Sequence, residues 1–284
     1  MPFFFRFFAV TFFLALAPLT SYAEKVQIER LPVSIIQQRL ENFAGNDSQR
    51  EVTLKRMFIE AGCQDVTEQP VKGLKQPNVI CVVTGTSPGT IVVGAHFDHV
   101  SAGSGVVDNW SGASLLPSLV QSLNHEPRRH TFVFIGFAGE EEGMVGSGFY
   151  VQHLAREQKA ALQAMVNMDT LGLGPTEVWA SHADPKLVAL LAGVAKALNL
   201  PISAMNVESV GSTDSESFRD KKIPAVTVHS LTQQTLGVLH SRQDTLREIK
   251  LDDYYRSYQL MAAFLAVLDS DWPPPETKRQ GKPK

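Results

Sequence analysis

"TIVVGAHFDHV", residues 90–100, runs five apolar or small residues into His96, Asp98 and His99. The first half is apolar throughout rather than alternating, which marks a strand buried on both faces. The second half places imidazoles and a carboxylate where that strand ends. Similar runs recur at 78–83 (NVICVV), 131–137 (TFVFIGF), 164–168 (AMVNM), 177–180 (EVWA) and 224–229 (PAVTVH). Helical periodicity lies between and around them, at 48–61, 111–124, 145–158, 185–198 and 251–269. Asp47 or Ser48 is placed to cap the first helix, and Gly62 to stop it. Asp184 caps the fourth, with Pro185 in its first turn. Pro117 sits inside the second and should bend it. This alternation predicts an α/β three-layer sandwich: a mostly parallel central sheet with helices on both faces.

The chain has 284 residues, 44% hydrophobic and 19% charged, with a formal charge of -3. That balance suits a globular protein and removes the electrostatic footing for nucleic-acid binding. Residues 1–23 form a short apolar run with one early Arg, closing on Ser21-Tyr22-Ala23, and read as a cleaved secretory signal. Pro18 and the polar residues that follow leave the run short for a membrane span, so an exported protein without stable membrane association is expected. Residues 24–270 form the folded domain. Residues 271–284, DWPPPETKRQGKPK, are too poor in apolar side chains to order themselves. Export also makes a Cys63–Cys81 disulfide reasonable, since these are the only two cysteines and lie in stretches that could pair as a hairpin. Two buried thiols are the alternative.

In sheets of this kind ligands collect at the carboxyl ends of the strands. Those ends carry, in order, His96 and Asp98; Asp108 and Asn109 just before a helix; Glu140, Glu141 and Glu142; Asp169; and His240 with Asp244 across a loop. Two imidazoles, several carboxylates and no Cys suit zinc or another borderline divalent ion. A carboxylate shared between two ions would give a two-metal site, which activates water and polarises a carbonyl. That chemistry is hydrolysis of an amide or ester.

From about residue 78 to residue 245 the chain resembles the zinc aminopeptidases of peptidase family M28. The motifs that carry the resemblance are GAHFDH, VDNWSGA, GEEEGMVGS, NMDTLG and HSRQDT, in the family's order. The resemblance implies two Zn2+ ions bridged by Asp108, one completed by His96 and Asp169, the other by Glu141 and His240. It also implies that Asp98 orients the His96 ring, that Glu140 is the general base, and that the Asp108–Asn109 peptide is cis. Substrates would be peptides with a free N-terminus. The chain departs from the family at Val107, where an acid is usual, and at Ser215 in TDSESF, where His is usual. No Tyr occurs in NVESVGSTDS to assist an oxyanion.

His99, His125, His130, His153, His182 and His229 have no motif behind them and read as surface or packing residues. Glu142 reads as a solvated neighbour of the acidic pair. Trp110 could floor a pocket or pack in the core, and Asp214 could shape the site or not. Two other functions compete with the peptidase: a glutaminyl-cyclase-like enzyme with a single zinc, and a non-catalytic binding domain on the same fold. Glu140 and the full ligand set argue for the peptidase.

Overall fold

The computed structural model describes residues 28–124, 127–209 and 211–272. The signal, His125 and most of the tail lie outside them. In chain order the helices are α1 (Val33–Glu41), α2 (Asp47–Glu60), α3 (Ser111–Ala113), α4 (Leu115–Leu123), α5 (Val145–His153), α6 (Arg156–Ala161), α7 (Pro185–Ala197), α8 (Ser215–Arg219) and α9 (Leu251–Asp271). The strands are β1 (Asp65–Gln69), β2 (Asn78–Val83), β3 (Thr90–His96), β4 (Thr131–Phe137), β5 (Leu162–Met168), β6 (Thr176–Val178), β7 (Ile202–Ala204) and β8 (Ala225–His229).

The strands form one sheet in the order β1-β2-β4-β3-β5-β8-β6-β7. Its centre, β4-β3-β5-β8, is parallel, whereas β1 and β2 are antiparallel to their neighbours and β6 is antiparallel to β8. The sheet is thus mostly parallel, as expected, with its antiparallel pairings confined to the flanks. Apolar runs on the central strands follow from two buried faces. On β4, Phe132 and Phe134 turn to one side, while Val133, Ile135 and Phe137 turn to the other. The first side packs under α1, α2, α4, α7 and α9, and the second under α5 and α8. This is the three-layer sandwich.

Local signals acted much as their chemistry requires, with four corrections. Asn46, not Asp47 or Ser48, caps α2, its side chain accepting from the Gln49 amide; an N-cap lies outside the helical turn, and Asp47 is already within it. Gly62 ends α2 at φ +86°, and Asp184 caps α7 through the Lys186 and Leu187 amides. The 111–124 helix is interrupted at Ser114 between α3 and α4, in the turn where the Pro117 ring crowds the carbonyl four residues earlier. The 145–158 helix breaks after His153, because Leu154 and Ala155 are extended. The run at 177–180 shortens to Thr176–Val178 and continues as a 3-10 turn at Ala180–His182. Cys63 and Cys81 form a disulfide, Cα–Cα 6.2 Å, tying the end of α2 to β2.

Candidate metal centre

Three parallel strands deliver side chains to one place because their carboxyl ends are in register. His96 is the last residue of β3, opposite Phe137 at the end of β4, and Asp169 follows the end of β5. Asp98 lies two residues beyond β3. Its two oxygens accept the backbone amides of Glu140 and Glu141, each at 3.1 Å. That fork fixes the turn after β4 from which both glutamates project. Asp108 stands in a tight turn before α3, with a cis peptide to Asn109. Asp244 holds this turn from below: its carboxylate accepts the Val107 amide at 2.7 Å and the Asp108 amide at 3.2 Å.

The Asp108 carboxylate is divided between two histidines. Oδ1 lies 3.3 Å from His96 Nε2 and Oδ2 lies 3.4 Å from His240 Nε2. His96 Nε2 is also 3.6 Å from Asp169 Oδ1, and His240 Nε2 is 2.9 Å from Glu141 Oε2. Two triads result, His96–Asp108–Asp169 and Asp108–Glu141–His240, each with donor atoms within 4.8 Å of one another. They share only Asp108. Glu140 belongs to neither; its Oε2 is 4.0 Å from His96 Nε2. The other ring nitrogen of His96 faces Asp98, 3.2 Å from its backbone oxygen and 3.6 Å from Oδ1. All seven residues to which the resemblance gives a ligand, orienting or base role converge here.

The sequence profile of peptidase family M28 matches residues 78–265. The chain belongs to peptidase family M28. Among curated relatives, Aminopeptidase YwaD of Bacillus subtilis is 25% identical over 244 residues, 83% of this chain and 52% of that protein. The chain spans about half, or less, of the length of the first curated relatives it matches. Among solved structures, the LapA aminopeptidase of Legionella pneumophila superposes with TM-score 0.71 at 22% identity, covering 84% of this chain and 72% of that one. A glutaminyl cyclase from an Acidobacteriales bacterium superposes with TM-score 0.68 at 16% identity, covering 84% and 93%. The aminopeptidase and the cyclase thus share this M28 fold.

The electrostatics of the cluster fit a resident cation. Among the described residues no Lys or Arg lines the cavity beside the triads, and Glu141 Oε1 is buried without a hydrogen-bond partner. Burial, reinforced by the surrounding acids, pushes Glu140 up to about 10, and burial with Asp108 pushes Glu141 up to about 7. Burial alone would lower His96, but Glu140, Asp108, Asp169 and Asp98 outweigh it and raise the imidazole well above its ordinary value. Contact with Asp108 lifts His240 to about 9. The group is short of positive charge, and hard oxygen and imidazole donors facing inward suit a divalent ion.

The remaining histidines have other work. His99 pairs with Asp47 at 2.7 Å; His130 with Asp269; His182 with Glu216; and exposed His153 bonds the Phe149 carbonyl. His229 lines the cavity, but both ring nitrogens are engaged, by the Met205 carbonyl and the Leu231 amide. Glu142 is exposed. Trp110 is fully buried and donates to the Leu40 carbonyl, so it packs in the core. The cavity of about 280 Å3 instead takes Trp179, Val207, Leu231 and Leu239 as its apolar wall. Those residues lie in the segments that follow β6, β7 and β8 and carry no motif; a run such as EVWA is the one available signal. Asp214 is fully buried, its carboxyl oxygens unpartnered, and burial raises it to about 7.

Proposed function

We propose that this chain is an exported two-zinc aminopeptidase whose catalytic domain is residues 24–270. The observation that carries the reading is the division of Asp108, one oxygen towards each triad. A single-ion site needs no such shared carboxylate, which weighs against the cyclase-like alternative. Asp108 would bridge the ions, His96 and Asp169 would complete one site, and Glu141 and His240 the other. Bound there, the ions would supply Lewis acidity for the scissile carbonyl and for a water acidic near neutral pH.

The protein's own groups do the rest. Glu140 takes the proton of the attacking water and delivers it to the departing amine nitrogen. It stands free of both triads, and cations held beside it would favour its charged form against the burial that pushes it up to about 10. Asp98 holds Glu140 and Glu141 in place through their amides. The apolar wall of Trp179, Val207, Leu231 and Leu239 receives the first side chain of a peptide, and the surplus negative charge favours its free ammonium. Export rests on residues 1–23; among the described residues no helix is long and apolar enough to cross a membrane.

The test is turnover. Purified full-length protein should hydrolyse aminoacyl-p-nitroanilides with apolar first residues, lose activity to chelators and carry two zinc ions per chain. Cyclisation of a Gln-initiated peptide with one tightly held ion would establish the cyclase instead. Two ions without turnover of either substrate class would leave a binding domain.

A further inference from the structure

We infer that Arg50 is a positioning residue of the metal centre: its guanidinium sets the span between His96–Asp98 and Asp108. The inference rests on the two-metal reading above. Arg50 is on α2, outside the residues matched by the family profile, and is fully buried. Its three bonded nitrogens donate to three carbonyls: Nε to Ala44 at 3.1 Å, Nη1 to Phe97 at 3.1 Å, and Nη2 to Ser104. Phe97 lies between His96 and Asp98, and Ser104 lies four residues before Asp108. One rigid fork therefore joins both ends of the loop that separates these groups.

The neighbouring contacts converge on the same loop. Asp47, one helical turn before Arg50, holds His99 at 2.7 Å. Gly105 has φ +56°, and a Cβ there would come within 2.4 Å of His99 Cβ and 3.0 Å of Arg50 Nη1. Beyond Asp108, the Trp110 ring lies under the guanidinium, 5.8 Å from Cζ to centroid, and is itself tied to the Leu40 carbonyl. Arg50 has no carboxylate among its hydrogen-bond partners; its charge faces Asp47, Asp244, Asp98 and Asp108 at longer range. A buried ion pair is replaceable by apolar packing, but an apolar side chain cannot hold three carbonyls at fixed spacing. Arg50 acts through the backbone on ligand geometry, as groups behind a metal ligand do.

The experiment measures zinc affinity by chelator competition on full-length wild type, Arg50→Lys, Gly105→Ala and Leu54→Ala. Leu54 is a buried α2 residue facing Gly136, so its truncation reports loss of α2 packing with the Arg50 fork intact. Arg50→Lys keeps the charge but loses the planar fork, and should weaken zinc binding about 10–100-fold. It should also lower kcat for Leu-p-nitroanilide with little change in KM. Leu54→Ala should lower Tm while leaving zinc affinity at the wild-type value. Wild-type affinity in Arg50→Lys, or an equal loss in Leu54→Ala, overturns the inference. Should Arg50→Lys fail to fold, Gly105→Ala decides from the loop side, where a loss of similar size supports it and unchanged affinity overturns it. A wild type that takes up no zinc refutes the metal reading itself, which is a separate outcome.

Discussion

Two buried histidines stand on neighbouring strands at opposite ends of the sheet. His96 closes β3 and His130 precedes β4, and each is 1% exposed. Each also faces aspartate, so residue type does not distinguish them. What differs is the count of charges. His130 meets one carboxylate, Asp269, at 3.1 Å, and that carboxylate also accepts the amides of His130 and Arg129. His96 has Asp98, Asp108, Glu140 and Asp169 within 4.0 Å. One end is a closed pair and the other a surplus of anions that protein groups do not neutralise. Surplus charge with inward-facing donors is the mark of an ion site; a buried His–Asp pair is not.

Removing the group shared by both triads should break this contrast most severely. Asp108→Ala removes the donor common to both triads, so zinc content should fall towards zero and turnover to background. Elemental analysis after dialysis checks it, and retention of both ions would refute the bridging role. Next comes Glu140→Gln, which keeps shape but removes basicity. General-base catalysis contributes about 10²–10⁴-fold, so kcat should drop by that factor while KM and bound zinc hold. Glu141→Gln should instead lose zinc. Identical zinc loss in both would show that base and ligand had been misassigned.

Away from the triads the expected effects are on stability alone. Cys63→Ser with Cys81→Ser opens a loop of sequence separation 18, worth ~3 kcal/mol in the chain-entropy model; denaturant unfolding measures it. His130→Gln leaves the Asp269 carboxylate one partner short, a cost of about 1–3 kcal/mol. Zinc content and kcat should not change. A fall in kcat matching that of Glu140→Gln would mean the two ends are not separable.

The difference between the ends also explains what could be read beforehand. Ligands at strand ends were legible because an apolar run that stops on His or Asp is a local pattern, as in VVGAHFD. Strand β1, DVTEQ, offered no such pattern: it is an edge strand with one apolar residue. Strand β7 has only three residues. The antiparallel flanks depend on strand order, which is set by packing across the whole core rather than by any one segment. Arg50 was invisible for a further reason. Its partners are backbone carbonyls, so nothing in the side chains at 44, 97 or 104 records the contact. The pocket wall was equally hidden, since Trp179, Val207, Leu231 and Leu239 meet only after the sheet has formed.

The most direct probe of the surplus charge needs no mutation. In the metal-free protein, Glu140 at about 10, Glu141 at about 7 and His240 at about 9 all lie above their ordinary values. Each raised group binds a proton more tightly folded than unfolded. Its contribution is full below the unfolded pKa and is lost as pH climbs through the folded one. For the glutamates that window opens near pH 4.5, and for His240 near 6.5. Asp98, held low by His96 and the Glu140 and Glu141 amides against the pull of burial, acts in the opposite sense. Its contribution is lost only as pH falls below the ordinary aspartate range, outside the interval tested. Tm of chelator-treated protein should therefore fall between pH 6 and pH 9. A domain of this size moves about 2–4 °C per kcal/mol, so the slope is measurable by calorimetry. Zinc-loaded protein should show no such fall, because the ions replace the protons and bind more tightly as pH rises. Parallel curves for the two forms would mean that the acidic cluster carries no charge a cation relieves.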